Sequence, residues 1–227
     1  CPTEAIRIDG GHARIQSVRC VDCGECFRVC PQRAIYVKDD GLASVKSSGY
    51  RIALVPSIFI GQFPSNYSAT RILEAVRQIG FDDVFEVEQA VDMVKSEYRH
   101  LENEIDQRPA ITSFCPAVVR LIQVLYPSLT DQIIRLKAPH DIAALYLRKS
   151  KERQGIRPSE IYIYYITPCA AKIVAARDPV AEKESPIDGT IDMKIIYNLV
   201  SKIIREDKSS GLHKSYANMS PDSVCWS

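Results

Sequence analysis

Four cysteines stand close together in Cys20-Val-Asp-Cys23-Gly-Glu-Cys26-Phe-Arg-Val-Cys30, with Pro31 immediately after. The pattern C-x2-C-x2-C-x3-C-P spaces three thiolates to cap three iron corners of one [4Fe–4S] cubane. The fourth, held by its proline, turns away toward another cluster. Gly24 inside the run lets the loop close tightly. Zinc knuckles also use C-x2-C pairs, but they seldom pack four Cys this closely and end on Cys-Pro. A group of this kind moves electrons, so the remainder of the chain is expected to use them.

The run sits inside an internal repeat. Cys1-Pro2-Thr3-Glu4-Ala5-Ile6 returns as Cys30-Pro31-Gln32-Arg33-Ala34-Ile35, a C-P-x-x-A-I motif at a spacing of 29 residues. Each copy is expected to run into a hairpin, Ala5–Ile8 turning at Asp9-Gly10-Gly11 and Ala34–Lys38 at Asp39-Asp40-Gly41. Two such pseudo-repeats resemble a two-cluster ferredoxin. That resemblance assigns Cys1, Cys20, Cys23 and Cys26 to one cluster and Cys30 to a second that this chain cannot complete, so the chain is expected to be cut at its N-terminus. The plainer reading is a one-cluster domain in which Cys30 is a packed thiol.

Beyond a polar linker at 42–49 the pattern changes to alternating strands and helices. Arg51–Val55 is an apolar run stopped by Pro56-Ser57, and Ile161–Ile166 is another, ending at Thr167-Pro168-Cys169. Shorter strands are expected at Val84–Val87 and Ala110–Thr112. Helices are expected over Ser68–Ile79 (closed by Gly80), Glu88–Asp106, Val118–Tyr126 (with Pro116 in its first turn), His140–Lys149 and Asp192–Arg205. The fold class is therefore α/β. A small ferredoxin-like α+β domain at 1–41 precedes a larger parallel-sheet α/β domain at 50–227, with sites at strand C-termini.

Composition narrows the function. The 227 residues are 46% hydrophobic and 25% charged, ordinary for a globular protein. A net charge of +1 provides no field for a polyanion, which argues against nucleic acid. No apolar run approaches the roughly 18 residues of a membrane span, and no signal segment opens the chain. Eight Cys without an export signal point to metal ligation in a reducing, cytoplasmic compartment.

Two more cysteines, Cys115 and Cys169, are expected at the exit edge of the same sheet. Each alone also reads as a buried thiol. A nucleophilic Cys wants a His partner, and His12, His100, His140 and His213 fall in no pairing motif. Together with the cluster module in front, residues 50–227 resemble the large subunit of [FeFe] hydrogenases. Thr112-Ser113-Phe114-Cys115-Pro116 is similar to that family's first H-cluster loop, T-S-C-C-P. Thr167-Pro168-Cys169-Ala170-Ala171-Lys172 is similar to the second, M-P-C-x-x-K, and Val55-Pro56-Ser57 to the strand end beside the di-iron subsite.

The resemblance implies a [4Fe–4S] cluster and, in the complete protein, an H-cluster whose cubane Cys115 and Cys169 help to hold. It implies that Lys172 hydrogen-bonds one iron-bound cyanide, and that the Pro56 backbone and Ser57 hydroxyl serve the other. Apart from the family, Lys172 reads as a solvated helix residue and Ser57 as a turn former. H2 and protons would be the substrates, with a redox partner such as ferredoxin and a signalling domain past Ser227. The family's third loop has no counterpart here: Ser223-Val224-Cys225-Trp226-Ser227 does not match it, so the chain is expected to be cut at this end also. Phe114 stands where catalytic members carry a proton-relaying Cys, and a phenyl ring donates no proton. The family's proton-path glutamates are replaced near Tyr98 and Leu101, and His140 stands where catalytic members have Gln. These departures resemble sensory and other divergent members. The rival reading is a non-catalytic iron–sulfur protein on the same scaffold.

Overall fold

The computed structural model describes residues 1–92, 94–95, 99, 109–134, 136–180 and 183–209. Its N-terminal module opens with a hairpin of β1 (Ile6–Asp9) and β2 (His12–Ile15), paired antiparallel from Ile6↔Ile15 to Asp9↔His12. Gly10 and Gly11 both take positive φ, 57° and 78°, the turn geometry whose twist matches two strands. After a 3-10 turn at Ser17–Arg19 comes the short helix α1 (Glu25–Val29), begun by Gly24 at φ 76°. The second expected hairpin does not form, and 34–38 carries no strand. Asp39 and Asp40, read as its turn, instead place their carboxylates on the larger domain.

That domain is built on four parallel strands in the order β4 (Asp83–Glu86), β3 (Tyr50–Val55), β7 (Ile161–Thr167), β8 (Gly189–Asp192). Apart from Arg51 near the start of β3 and Thr167 at the end of β7, the central pair is apolar or aromatic because helices cover both faces. Alternation along the strands divides the core. Ala53, Val55, Tyr164 and Ile166 pack with Ile72 and Val76 of α3 (Ala69–Gln78) and with Ile196, Val200 and Ile204 of α7 (Met193–Ser209). Ile52, Leu54, Ile163 and Tyr165 face the other way, onto Ala143, Ala144 and Leu147 of α5 (Pro139–Arg153). Each Val, Leu or Ile among them, fully buried, contributes about 1.5–3 kcal/mol. The Ser68 hydroxyl caps α3 by accepting the Arg71 N–H.

The remaining elements shape the loops at the strand ends. Pro56 leads from β3 into the single turn α2 (Ser57–Ile60), and Cys169 leads from β7 into α6 (Ala170–Ala175). β5 (Ile111–Thr112) precedes α4 (Pro116–Leu125). It corrects the expectation that Cys115 and Cys169 end strands of one sheet: β5 pairs in parallel with β6 (Ile133–Ile134), apart from the four-stranded sheet. A two-residue strand has too little ladder to join the larger sheet by itself. The helix expected over Glu88–Asp106 is present at 89–92, 94, 95 and 99; its other residues, Tyr98 and Leu101 among them, lie outside the described residues, as does Cys225. Residues 42–49, read as a linker, are docked: Leu42 and Val45 pack on the core, and the Tyr164 hydroxyl donates to the Ser44 carbonyl and accepts the Lys46 N–H.

Candidate metal centres

The hairpin, the cysteine loop and residues 35–38 surround a cavity of about 230 Å³ whose walls include Cys1, Cys20, Cys23 and Cys26. Cys30 is not on that wall. Among the described residues no three His, Cys, Asp or Glu side chains converge on a single-ion site. The four thiols ring a space instead of meeting at a point, the arrangement that suits a cluster capped at its corners. Ala5, Val21 and Ile35 supply apolar parts of the wall, and Asp22, Lys38 and Arg177 polar ones.

The repeat is written into the backbone. Glu4 and Arg33 both adopt φ 51°, and their N–H groups reach back to the carbonyls of Cys1 and Cys30 at 3.3 and 3.2 Å. The turn brings the Ala5 N–H to within 3.2 Å of Cys1 Sγ. At Cys30, backbone N–H groups led by Ala34 hold the thiol below its usual pKa against some burial. Sulfurs fed by backbone donors are prepared to carry negative charge. Cys20 differs: burial pushes its thiol up, and the nearby Asp22, to whose Oδ1 it donates at 3.4 Å, adds to the rise. Ligation to iron would remove that proton.

This cavity closes against the larger domain. Ala170, Val174 and Arg177 of the segment after β7 complete its wall. Gly24 approaches so near that a Cβ there would lie 2.8 Å from the Ala170 Cβ. Arg120 on α4 pairs with Asp22 of the cysteine loop and, at 2.8 Å, with Asp178. Arg177 reaches Asp40 at 2.7 Å, and Asp40 and Asp39 accept the N–H groups of Thr190 and Asp192 on edge strand β8 at 2.7 and 2.8 Å. Burial opposes ionisation of Asp40, but the Thr190 and Arg177 hydrogen bonds outweigh it and hold the carboxyl below its usual range. No motif marks Asp40, Arg120 or Arg177 in the sequence.

A second cavity, about 140 Å³, lies between α4, α5 and α6. Ser113, Phe114, His140 and Lys172 are among the residues that line it. Ser113 is spent on structure, its hydroxyl donating to the Leu136 carbonyl at 2.6 Å and accepting the Leu136 N–H at 3.1 Å. Lys172 donates to the Tyr165 hydroxyl at 3.4 Å, so it is not the freely solvated helix residue of the plainer reading. His140, 7% exposed, stacks on the Tyr165 ring at 4.8 Å and 7°. Burial, and then the Lys172 charge, lower its pKa to about 3. Its Nδ1 is buried without a hydrogen-bond partner. Lys172, a charged donor, shares this lining with the carboxylate residues Asp141 and Glu184, which fits a polar occupant better than an apolar filling. Tyr165, which orients both His140 and Lys172, looked in the sequence like one more apolar strand residue.

Cys115 and Cys169 are the N-cap residues of α4 and α6, which pack on each other. Cys115 is exposed and Cys169 half-buried, and neither lines the second cavity, although their neighbours Pro116 and Lys172 do. Pro56 and Ser57 lie at the end of β3, beside the end of β7 that leads to Cys169. Pro56 has no N–H, and its carbonyl accepts from Phe59 at 2.9 Å. The Ser57 N–H donates to Glu88 at 2.8 Å, which leaves its exposed hydroxyl for other use. Burial, followed by the Glu88 charge, raises the pKa of nearby Glu86.

The family pattern described as "Iron only hydrogenase large subunit, C-terminal domain" matches residues 51–215. The chain belongs to the iron-only hydrogenase large subunit family. A "4Fe-4S binding domain" pattern matches residues 14–36, across the cysteine loop, so the module is of the ferredoxin [4Fe–4S] type. The family implies an H-cluster in the complete protein. "Iron hydrogenase 1" of Clostridium pasteurianum is 29% identical over 143 residues, 61% of this chain and 25% of that protein. "NADP-reducing hydrogenase subunit HndD" of Solidesulfovibrio fructosivorans is 25% identical over 201 residues, 78% of this chain and 33% of that subunit. The hydrogenase-family chain thus spans a quarter to a third of the curated relatives it matches. In fold it resembles a variant of [FeFe]-hydrogenase HydA1 from Chlamydomonas reinhardtii, with a TM-score of 0.50 at 24% identity over 68% of this chain and 43% of that one. Among the described residues no helix is long and apolar enough to cross a membrane.

Proposed function

We propose that this chain is the electron-entry module and part of the metal-centre pocket of a divergent [FeFe] hydrogenase that senses H2 or interconverts it slowly with protons, 2 H+ + 2 e− ⇌ H2. Cys1, Cys20, Cys23 and Cys26 hold a [4Fe–4S] cluster in the first cavity, and Cys30 serves a neighbouring one. Cys115 and Cys169 are two thiolate ligands of the H-cluster cubane. Lys172 and the Ser57 hydroxyl hold its anionic ligands by charge-assisted and neutral hydrogen bonds. When bound, that centre supplies the site at which H2 is made or split. In a reducing cytoplasmic and anaerobic setting, the [4Fe–4S] cluster that the thiolates of the first cavity would hold would take electrons from a small redox partner such as ferredoxin.

One observation carries the slow or sensory reading: Phe114 lies on the wall of the cavity shared by His140 and Lys172. A phenyl ring there moves no proton, and loss of one positioned proton donor costs on the order of 100- to 10,000-fold in rate. The matured holoprotein is therefore expected to show infrared bands of iron-bound CO and cyanide together with H2 evolution far below that of dedicated catalytic hydrogenases. Catalytic-class turnover would remove the slow reading. Absence of the bands would favour the rival, a non-catalytic iron–sulfur protein on this scaffold, which the Lys172–Tyr165 hydrogen bond within the protein also suits.

A further inference from the structure

We infer that Arg120 raises the reduction potential of the [4Fe–4S] cluster in the first cavity, by neutralising the Asp22 carboxylate beside Cys20. The inference rests on the reading that Cys1, Cys20, Cys23 and Cys26 hold that cluster. Asp22 lies between Cys20 and Cys23 and lines the cavity, with its Oδ1 3.4 Å from Cys20 Sγ. The thiol donates there; as an iron ligand the sulfur has no proton to give. A carboxylate then faces a thiolate, and an electron added to the cluster is added against a nearby like charge. Left alone, Asp22 makes the cluster harder to reduce.

Arg120 meets this charge. Its Nη1 donates to Asp22 Oδ2, the carboxylate oxygen not bonded to Cys20. Its Nη2 donates to the Asp178 carboxylate at 2.8 Å and to the Asp178 carbonyl at 3.3 Å, which fixes the guanidinium from another side. The Arg120 and Asp22 side chains are 20% and 22% exposed, so water and salt screen this pair less than an open one. Asp178, at 78%, is well solvated, and its own charge reaches the cavity weakly. The cation also comes from the larger domain. Arg120 sits on α4, which Cys115 caps, and Asp178 follows α6, which Cys169 caps. Docking of the module on these two helices is thus what delivers the positive charge to the cysteine loop.

Potentiometric titration of the full chain, reconstituted with iron and sulfide and followed by visible absorption, tests this. Arg120→Gln is expected to move the midpoint to a more negative potential, and Asp22→Asn to a more positive one. Asn tolerates the φ of 52° found at position 22, so that variant keeps the loop. Arg120→Lys separates charge from clamp, because it keeps the cation without the fork that spans two carboxylates. Its midpoint should stay nearer to that of the unmodified chain than the Arg120→Gln value does. An unchanged or more positive midpoint in Arg120→Gln would overturn the inference. So would an unchanged or more negative one in Asp22→Asn, or an Arg120→Lys value as negative as that of Arg120→Gln. Should Arg120→Gln take up no cluster, Asp22→Asn decides by the same rule: a more positive midpoint sustains the inference. No cluster in the unmodified chain would overturn the cluster assignment and this inference with it.

Discussion

The Asp40 carboxylate takes both the backbone N–H of Thr190 at 2.7 Å and its hydroxyl at 3.0 Å, which ties the cluster module to the exposed edge of the parallel sheet. Edge strand β8 is thereby covered, and its free donors are satisfied. The module is held in one orientation against the segment that follows β7, where Ala170 and Arg177 close the first cavity.

Removing the Asp40 carboxylate should therefore loosen the module. Asp40→Ala is expected to cost about 2 kcal/mol, the range for hydrogen bonds to a charged group. Because the folded pKa is depressed, the contribution is complete above the ordinary carboxylate value, about 3.9, and is lost as the pH falls through the folded value. Denaturant titrations should separate the two proteins at pH 6 and by progressively less as the pH is lowered below the ordinary carboxylate value. An equal gap at every pH would assign the effect to packing.

The cysteines should divide by cavity. Cys20→Ser is expected to abolish the visible absorption of the cluster proposed for the cavity that Cys1, Cys20, Cys23 and Cys26 line. Cys30→Ser should retain it, since Cys30 is absent from that wall. Iron and sulfide analysis of the two reconstituted variants checks this, and equal loss in both would refute the division.

Gly24 carries two constraints that can be separated. Its φ of 76° suits glycine, and a Cβ would lie 2.8 Å from that of Ala170. Gly24→Ala should cost about 1–2 kcal/mol from the left-handed conformation, plus the collision. Adding Ala170→Gly should recover the collision and leave the conformational part. Thermal melts of the single and double variants measure both; no recovery in the double would deny the close approach.

His140 predicts a pH slope of the opposite origin from ion pairing. Its folded pKa is lowered to about 3 from 6.5, so below pH 6.5 the unfolded chain binds a proton that the folded chain refuses. Stability from this residue is complete above pH 6.5 and declines until about pH 3. At pH 5 the loss is about 2 kcal/mol, from 1.5 pH units at about 1.36 kcal/mol each. His140→Phe should flatten that part of the stability–pH curve, measured by urea midpoints between pH 7 and pH 5. An unchanged slope would mean that His140 titrates normally.

The C-x2-C-x2-C-x3-C-P run and its C-P-x-x-A-I echo were enough to identify the cluster module, because metal ligands must recur at spacings set by the metal and not by the fold. The buried strands at β3 and β7 were equally legible, since strands covered on both faces are apolar throughout. The local code failed where elements are short or partnered from far away. Strand β8 has four residues, and β5 has two and joins a sheet of its own. Residues 34–38 look like half of a hairpin in the sequence, because turn chemistry at Asp39-Asp40-Gly41 is the same whether the carboxylates face solvent or a distant strand.

By itself, then, the chain's sequence determined that it carries a [4Fe–4S] module and which segments must be buried, both consequences of residue type and period. Only the tertiary structure decided which sulfurs share a cavity, that Asp40 reaches Thr190 across 150 residues, and that His140 lies buried against Tyr165 with a nitrogen unspent. Those outcomes depend on packing between segments remote along the chain, where distance and dielectric, not neighbouring residues, set what a side chain can do.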